Sequence, residues 1–358
     1  MTRPQYLKKI EFAAVLALIL TLLVWSPADA QKKKKSSKPR RQQIFFFDAR
    51  LELTYDDNII NYSDADLDLY GDDARPDKFV IDSKDDWIIT SRLESRLKGK
   101  FISARTAWLD LNFNNYFYVR NEVRRYQKYG LSARQYFIRG GYAEIEYSYI
   151  PDYYYRNQFC EGSYIEANFS KHFLKAEVGL NLMPSLKGDV SYRFQSKTFN
   201  EEVKERDLAV NGVRLDAIWN ASKKFKFWAY YGLKRASARG ADDPDPDVKD
   251  VSYDAWDITL GSRHYSPYLR KLSPQLVVSL QYREIRFQTT KYGDIYRFGR
   301  RDSNYEFRIG TAWQLPYMIG LDIDYKLQAK RSDPYYPSVK SLLEYDSNSI
   351  SFELKRRF

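Results

Sequence analysis

The 358-residue sequence contains a single cysteine, Cys160, and two histidines, His172 and His264. One cysteine cannot build an internal disulfide framework, so the fold must be held together by other means. A histidine-dependent hydrolase would need one of the two histidines beside a nucleophile. No Gly-x-Ser-x-Gly elbow is present to supply that nucleophile. Apolar runs are scarce as well. Beyond residue 30 there is no stretch long enough for a spanning helix, and the mean hydropathy is −0.62.

The one sustained apolar run lies at the start. Arg3, Lys8 and Lys9 precede it, Phe12 to Trp25 form it, and Ala28-Asp29-Ala30 closes it with the small residues of a cleavage site. Residues 1–30 therefore read as a signal peptide cut after Ala30, with no cysteine nearby to carry a lipid. Residues 31–43 follow as a basic, low-complexity periplasmic arm, which composition predicts to be disordered. Seven positive charges fall within residues 32–41 and make up most of the net +11. The remainder of the chain is close to neutral, which argues against nucleic acid as a partner.

From residue 44 to 358 the pattern is period two. Phe45, Phe47, Ala49, Leu51, Leu53 and Tyr55 alternate with Asp48, Arg50, Glu52 and Thr54, as in a strand whose two faces meet different surroundings. About fourteen such units recur, separated by alternately short and long connections. This is the pattern of a transmembrane antiparallel up-and-down β-barrel with short periplasmic turns and long extracellular loops. Aromatics make up 16% of the chain and include 31 tyrosines, enough for two interfacial girdles. Short turns are expected at Lys98-Gly99-Lys100, Gly140-Gly141, 183–189 and 220–224, a basic loop at 120–130, and a fourth strand from Ser132. Pro151 falls inside the fifth strand and demands a bulge or an early end there, because proline cannot donate to the ladder. The sixth strand, from about Tyr164 to Leu182, carries an expected phase slip near Phe173.

The alternate face is rich in charge. Arg50, Glu52, Arg92, Glu94, Arg96, Asp110, Arg193, Lys197, Arg214, Asp216, Arg283, Arg308, Asp322, Asp324 and Lys326 are expected to line the lumen. A wider inward set includes Lys175, Glu166, Glu284 and Arg286. Opposite charges in near-equal number suit a wetted wall whose members pair across strands. A fourteen-stranded barrel is also wider than the eight-stranded type that side chains can fill. Two acidic segments, Asp64 to Asp73 and Asp242 to Asp247, are expected in outer loops. Asp64-x-Asp66-x-Asp68 opens like a calcium loop, but Gly71 is misplaced and no glutamate closes the frame, so no metal is expected. No cofactor is expected either.

At the C-terminus, Ile350, Phe352, Leu354 and Phe358 recur at alternate places, with Arg356 departing from the pattern. This resembles the last strand of Gram-negative outer-membrane proteins, which implies recognition by the barrel assembly machinery and an outer-membrane location amid lipid and lipopolysaccharide. Leu53-Thr54-Tyr55-Asp56-Asp57-Asn58 is similar to the first strand of the barrel part of surface-lipoprotein assembly modifiers. The expected function is a porin-like channel or transporter for small hydrophilic solutes, without catalysis. The alternative is an accessory barrel for export or assembly of a surface polysaccharide or lipoprotein.

Overall fold

The computed structural model describes residues 44–72, 76–100, 105–137, 140–160, 162–241, 243–245, 248–266, 274–315 and 318–358. The expected signal peptide and basic arm lie outside the described residues. No helix among the described residues is long and apolar enough to cross a membrane. The chain forms fourteen antiparallel strands closed into one barrel, each paired with its sequence neighbours, and β1 pairs with β14.

The strands are β1 (Phe45–Asp56), β2 (Asp86–Lys100), β3 (Thr106–Tyr118), β4 (Tyr126–Tyr136), β5 (Tyr142–Cys160), β6 (Ser163–Met183) and β7 (Leu186–Phe199). They continue with β8 (Leu208–Trp219), β9 (Phe225–Ala238), β10 (Tyr253–Tyr265), β11 (Gln275–Phe287), β12 (Arg301–Gln314), β13 (Ile319–Asp333) and β14 (Tyr345–Arg357). Closure leaves no unpaired edge, so every strand can satisfy its backbone groups without water.

The two faces of this sheet are chemically distinct. Leu53, Leu111, Ile145, Val213, Leu215, Leu260, Leu280, Tyr325, Phe352 and Leu354 are all exposed on one face, although they are large and apolar. The other face carries the charges, and among the described strand residues only there do side chains two strands apart touch. Arg92 on β2 reaches Glu353 on β14 at 3.1 Å across β1, and the Tyr142 hydroxyl on β5 reaches Asp189 on β7 at 3.1 Å across β6. Neighbouring strands stand about 4.8 Å apart, so contacts of this reach require the concave side of the sheet. The charged face is the inner one, and the apolar face forms an outer belt.

Several sequence expectations shift in detail. β2 runs through Lys98-Gly99-Lys100, so these residues are ladder rather than the expected turn. β4 starts at Tyr126 rather than at Ser132, which turns much of the expected basic loop into wall. The phase slip near Phe173 is absent. β6 and β7 pair in unbroken register from Phe169↔Phe199 to Asn181↔Lys187, and Phe173 is simply an aromatic side chain on the inner face. The expected turn over 183–189 contracts to residues 184–185 between β6 and β7. The turn at 220–224 falls where expected.

Pro151 is accommodated by a bulge. The β5–β6 register shifts between Ile150 and Tyr153 and again between Tyr154 and Arg156, after which the strand continues to Cys160. β5 and β6 are accordingly the longest strands, and only residues 161–162 join them, at the end of the barrel where most other connections are long. The longest connection, 57–85, contains helix α1 (Asp64–Gly71), whose N-cap Ser63 side chain accepts a hydrogen bond from the Asp66 amide. The Asp64-x-Asp66-x-Asp68 spacing thus belongs to a capped helix, and Asp66 is ion-paired with Lys78.

Candidate functional site

All fifteen residues expected in the lumen stand on the inner face, as the ladder registers show. Reading around the barrel, Lys355 opposes Arg50, Arg50 opposes Arg92, and Arg92 opposes Asn114 on β3. Opposed like charges would repel, and the structure resolves this by diagonal pairing. Arg92 bonds Glu52 and Glu353, Arg50 bonds Glu94 at 3.3 Å, and Arg96 bonds both Glu94 at 2.7 Å and Asp110 at 2.6 Å. Lys355 bonds Asp322, and Arg357 bonds Asp48 at 2.8 Å. Farther round, Arg214 pairs with Asp216 and Arg308 with Glu306. Lys234 pairs with Asp257 at 2.7 Å.

Next to this network lies a cavity of about 230 Å³ lined by Arg50, Arg92, Glu94, Asn112, Lys128 and Glu146, among others. Its lining is polar, with no apolar core to fill it, so it is a place for water and polar solutes.

On β4 to β7 the wall divides into two levels. Toward the short-turn end, Lys175 is surrounded by Glu144 at 2.9 Å, Glu146 at 3.1 Å and Glu177 at 3.5 Å, while Arg134 also holds Glu144. Tyr142 donates to Glu177 at 2.7 Å by lying across Gly179, where an added Cβ would sit 2.2 Å from both the Tyr142 ring and Asp189. Toward the long-loop end the carboxylates run out. Lys171 opposes Lys197 in register, and no ion pair reaches either of them or Lys128 among the described residues. Lys128 would have been hard to find from sequence, because Tyr126 to Gly130 reads as a polar loop.

Above that level the mouth is narrowed. Ile59, Ile60, Tyr62, Phe79 and Ile81 of the 57–85 loop form an apolar cluster that packs on Ile88, Tyr116 and Tyr126, all inner-face residues. The buried guanidinium of Arg124 fastens the loop, donating to the carbonyls of Ile59 (3.1 Å) and Tyr154 (2.9 Å) and to the Tyr153 hydroxyl (2.9 Å). Burial within this cluster holds the Tyr62 phenol well above its ordinary value, against the opposing pull of Arg156.

Three members of the wider inward set face the other way. Glu284 opposes Trp256, whereas the neighbouring pair Asp257 and Arg283 is the inner one, so Glu284 and Arg286 belong to the outer face. There Glu284 is 8% exposed and bonds Arg286. Glu166 alternates with the inner, fully buried Ala167 and points outward. These positions lie near the long-loop rim, where the outer face no longer has to be apolar.

The histidines stand apart from each other. His172 is on the outer face, stacked on Tyr149 at 4.7 Å and bonded through Nδ1 to the Tyr147 hydroxyl at 2.8 Å. His264 lies at the short-turn end of β10 against Phe225. Among the described residues no group of three or more His, Cys, Asp or Glu side chains is placed to hold a metal ion. The C-terminal residues behave as a seam. Phe352 and Leu354 face outward, Arg356 is buried with its guanidinium 4.9 Å from the Phe358 ring, and the Phe358 amide bonds the Phe47 carbonyl at 2.8 Å.

An apolar belt outside a closed sheet, with a charged wall inside it, decides the class of molecule. The chain is a closed fourteen-stranded transmembrane β-barrel. No family model matches it, and no curated protein matches it. Among solved structures it is similar to a bacterial polysaccharide outer-membrane secretin, with 11% identity, TM-score 0.43, and 87% of this chain and 98% of that one covered. It is also similar to OccAB4 of Acinetobacter baumannii, with 10% identity, TM-score 0.39, and 90% and 100% covered. A third is OmpT, an outer-membrane protein of Vibrio cholerae, with 9% identity, TM-score 0.43, and 88% and 98% covered. These likenesses are of barrel architecture alone.

Proposed function

We propose that the protein is a non-catalytic outer-membrane channel for small hydrophilic solutes, with the long connections outside the cell and the short turns in the periplasm. In this reading residues 1–30 are a signal peptide removed after Ala30, residues 31–43 are a periplasmic arm, and the barrel begins at residue 44. Ile350, Phe352, Leu354 and Phe358 serve as the signal for the assembly machinery. Arg50, Glu52, Arg92, Glu94, Arg96, Asp110, Arg193, Lys197, Arg214, Asp216, Arg283, Arg308, Asp322, Asp324 and Lys326 line the path.

The observation that carries this reading is the inner wall. Charged side chains on strand after strand, paired across the ladder, would be a costly way to build a dry core. They are the natural lining of a water-filled one, where each pair stays partly hydrated. In this reading the 57–85 loop, packed on inner-face residues near the outer mouth, narrows the path there. Refolded protein in a planar bilayer should give unitary current steps in potassium chloride, and a preparation that is folded by heat-modifiable mobility but silent at every voltage would sink the proposal.

A further inference from the structure

The unpaired lysines of β4, β6 and β7 on the inner wall mark a place where the protein supplies charge and leaves the counter-charge to something else. Lys171 on β6 and Lys197 on β7 are direct register partners. Directly opposed side chains stand about 5 Å apart at Cβ, and like charges so placed are destabilising. Both residues are half-buried, and Lys128 on β4 is the remaining charged neighbour of Lys171.

The surroundings add to the positive potential. Arg156, Arg206 and Lys330, together with Lys197, lie within electrostatic reach of the Tyr155 hydroxyl, so cations from β5, β7, β13 and the 200–207 connection converge there. Burial, aided by the nearby Arg297, pulls the Arg206 guanidinium down to about 10. Two inner or rim carboxylates near this level are already engaged: Asp302 holds Arg300 at 2.9 Å and Lys330 at 3.2 Å, and Glu205 holds Arg206 at 3.5 Å. Neither reaches Lys128, Lys171 or Lys197. Apolar surface adjoins the lysines, since the Lys197 ammonium lies 4.7 Å from the Phe169 ring, which touches Tyr153 at 5.0 Å and Phe199 at 5.1 Å.

We propose that Lys171 and Lys197, with Lys128 beside them, form a binding site in the outer half of the lumen for small dianions bearing carboxylate or phosphate groups. Two ammonium groups held side by side match two negative charges on one solute better than they match one. The neighbouring rings offer a face to a short carbon skeleton. The proposal rests on the channel reading for its route of access, and it narrows the solutes of that channel to an anionic class.

The test is current block in the refolded protein with inorganic phosphate, succinate, acetate and glucose as probes. Phosphate and succinate at millimolar concentration should reduce the potassium chloride current through the native barrel, acetate should act more weakly, and glucose not at all. A Lys171→Gln, Lys197→Gln double variant should lose the block by tenfold or more in half-blocking concentration, while Lys171→Arg with Lys197→Arg should keep it. Arg235→Gln, on an exposed outer-face pair with Asp254, is the control that should change nothing. Equal block by succinate and glucose, or unchanged block in the double Gln variant, would overturn the site. Should the native barrel carry no current, the channel reading fails on its own. Titration of phosphate into the refolded protein, followed by phosphorus line broadening, then decides the site: broadening lost in the double Gln variant and kept in the double Arg variant supports it, and its absence in the native protein refutes it.

Discussion

Lys171 and Lys175 lie four residues apart on β6 and face the same way, yet one looks onto three carboxylates and the other onto two more lysines. The surrounding wall makes the difference. At the lower level Glu144, Glu146 and Glu177 come from β5 and β6 and converge on one ammonium, so the charge is structural. At the upper level the same strands present Ile150, Phe173 and Phe169 instead, and the charge is left over. A barrel wall can thus use one residue type for cohesion and for recognition within two turns of the pleat.

The comparison can be broken in order of effect. Lys175→Met should be the most damaging, because it strips Glu146 and Glu177 of their ion-pair partner and leaves Glu144 with Arg134 alone. A loss of about 3 kcal/mol is expected in urea unfolding from vesicles, in line with removal of one partner of a buried ion pair. Gly179→Val should come next, at roughly 1–3 kcal/mol, since the new side chain displaces Tyr142 from its position between Glu177 and Asp189. Lys171→Met should have the opposite sign, gaining up to about 1 kcal/mol at low salt as a like-charge pair is relieved. That gain should fade in 1 M salt, where the screening length falls to about 3 Å. A Lys171→Met variant as unstable as Lys175→Met would mean the upper lysine has a structural partner after all. Deleting residues 32–41 should have the smallest effect, with the reversal potential in a salt gradient unchanged, because the charges of the inner wall are expected to set the selectivity. A clear shift toward cations would place the arm in the conduction pathway.

Much of this architecture was legible in the sequence because a barrel strand writes its two faces into alternate residues. β1, β9, β13 and β14 could be read almost residue by residue, and the fifteen lumen positions fall on one face. The misreadings have physical causes. β4 begins early because its first inward positions are Tyr126, Lys128 and Gly130, which resemble loop. Phe173 mimicked a slip because an aromatic ring occupies an inner position beside the lysines. Glu284 and Arg286 misled because the rule of apolar outside and polar inside holds only across the membrane belt, and they stand above it. The division of the wall into paired and unpaired levels was not legible. It depends on which side chains meet diagonally, and hydrophobic alternation carries no record of that.

The seam between β1 and β14 bears on how the molecule comes to exist. The Asp48–Arg357 pair joins residues 309 apart in sequence, and the ladder from Asp48↔Arg357 to Asp56↔Ser349 forms only when the whole chain has been threaded. Loop closure over such a span is slow, and until it happens β1 and β14 are both bare edges. In hydrocarbon a bare edge costs several kcal/mol for each unmet backbone group, so a sheet of thirteen strands is not a slightly weakened barrel. Biogenesis is accordingly all-or-none: a chain cut before Tyr345 should be found in aggregates or degraded, with no stable shortened species inserted in the bilayer.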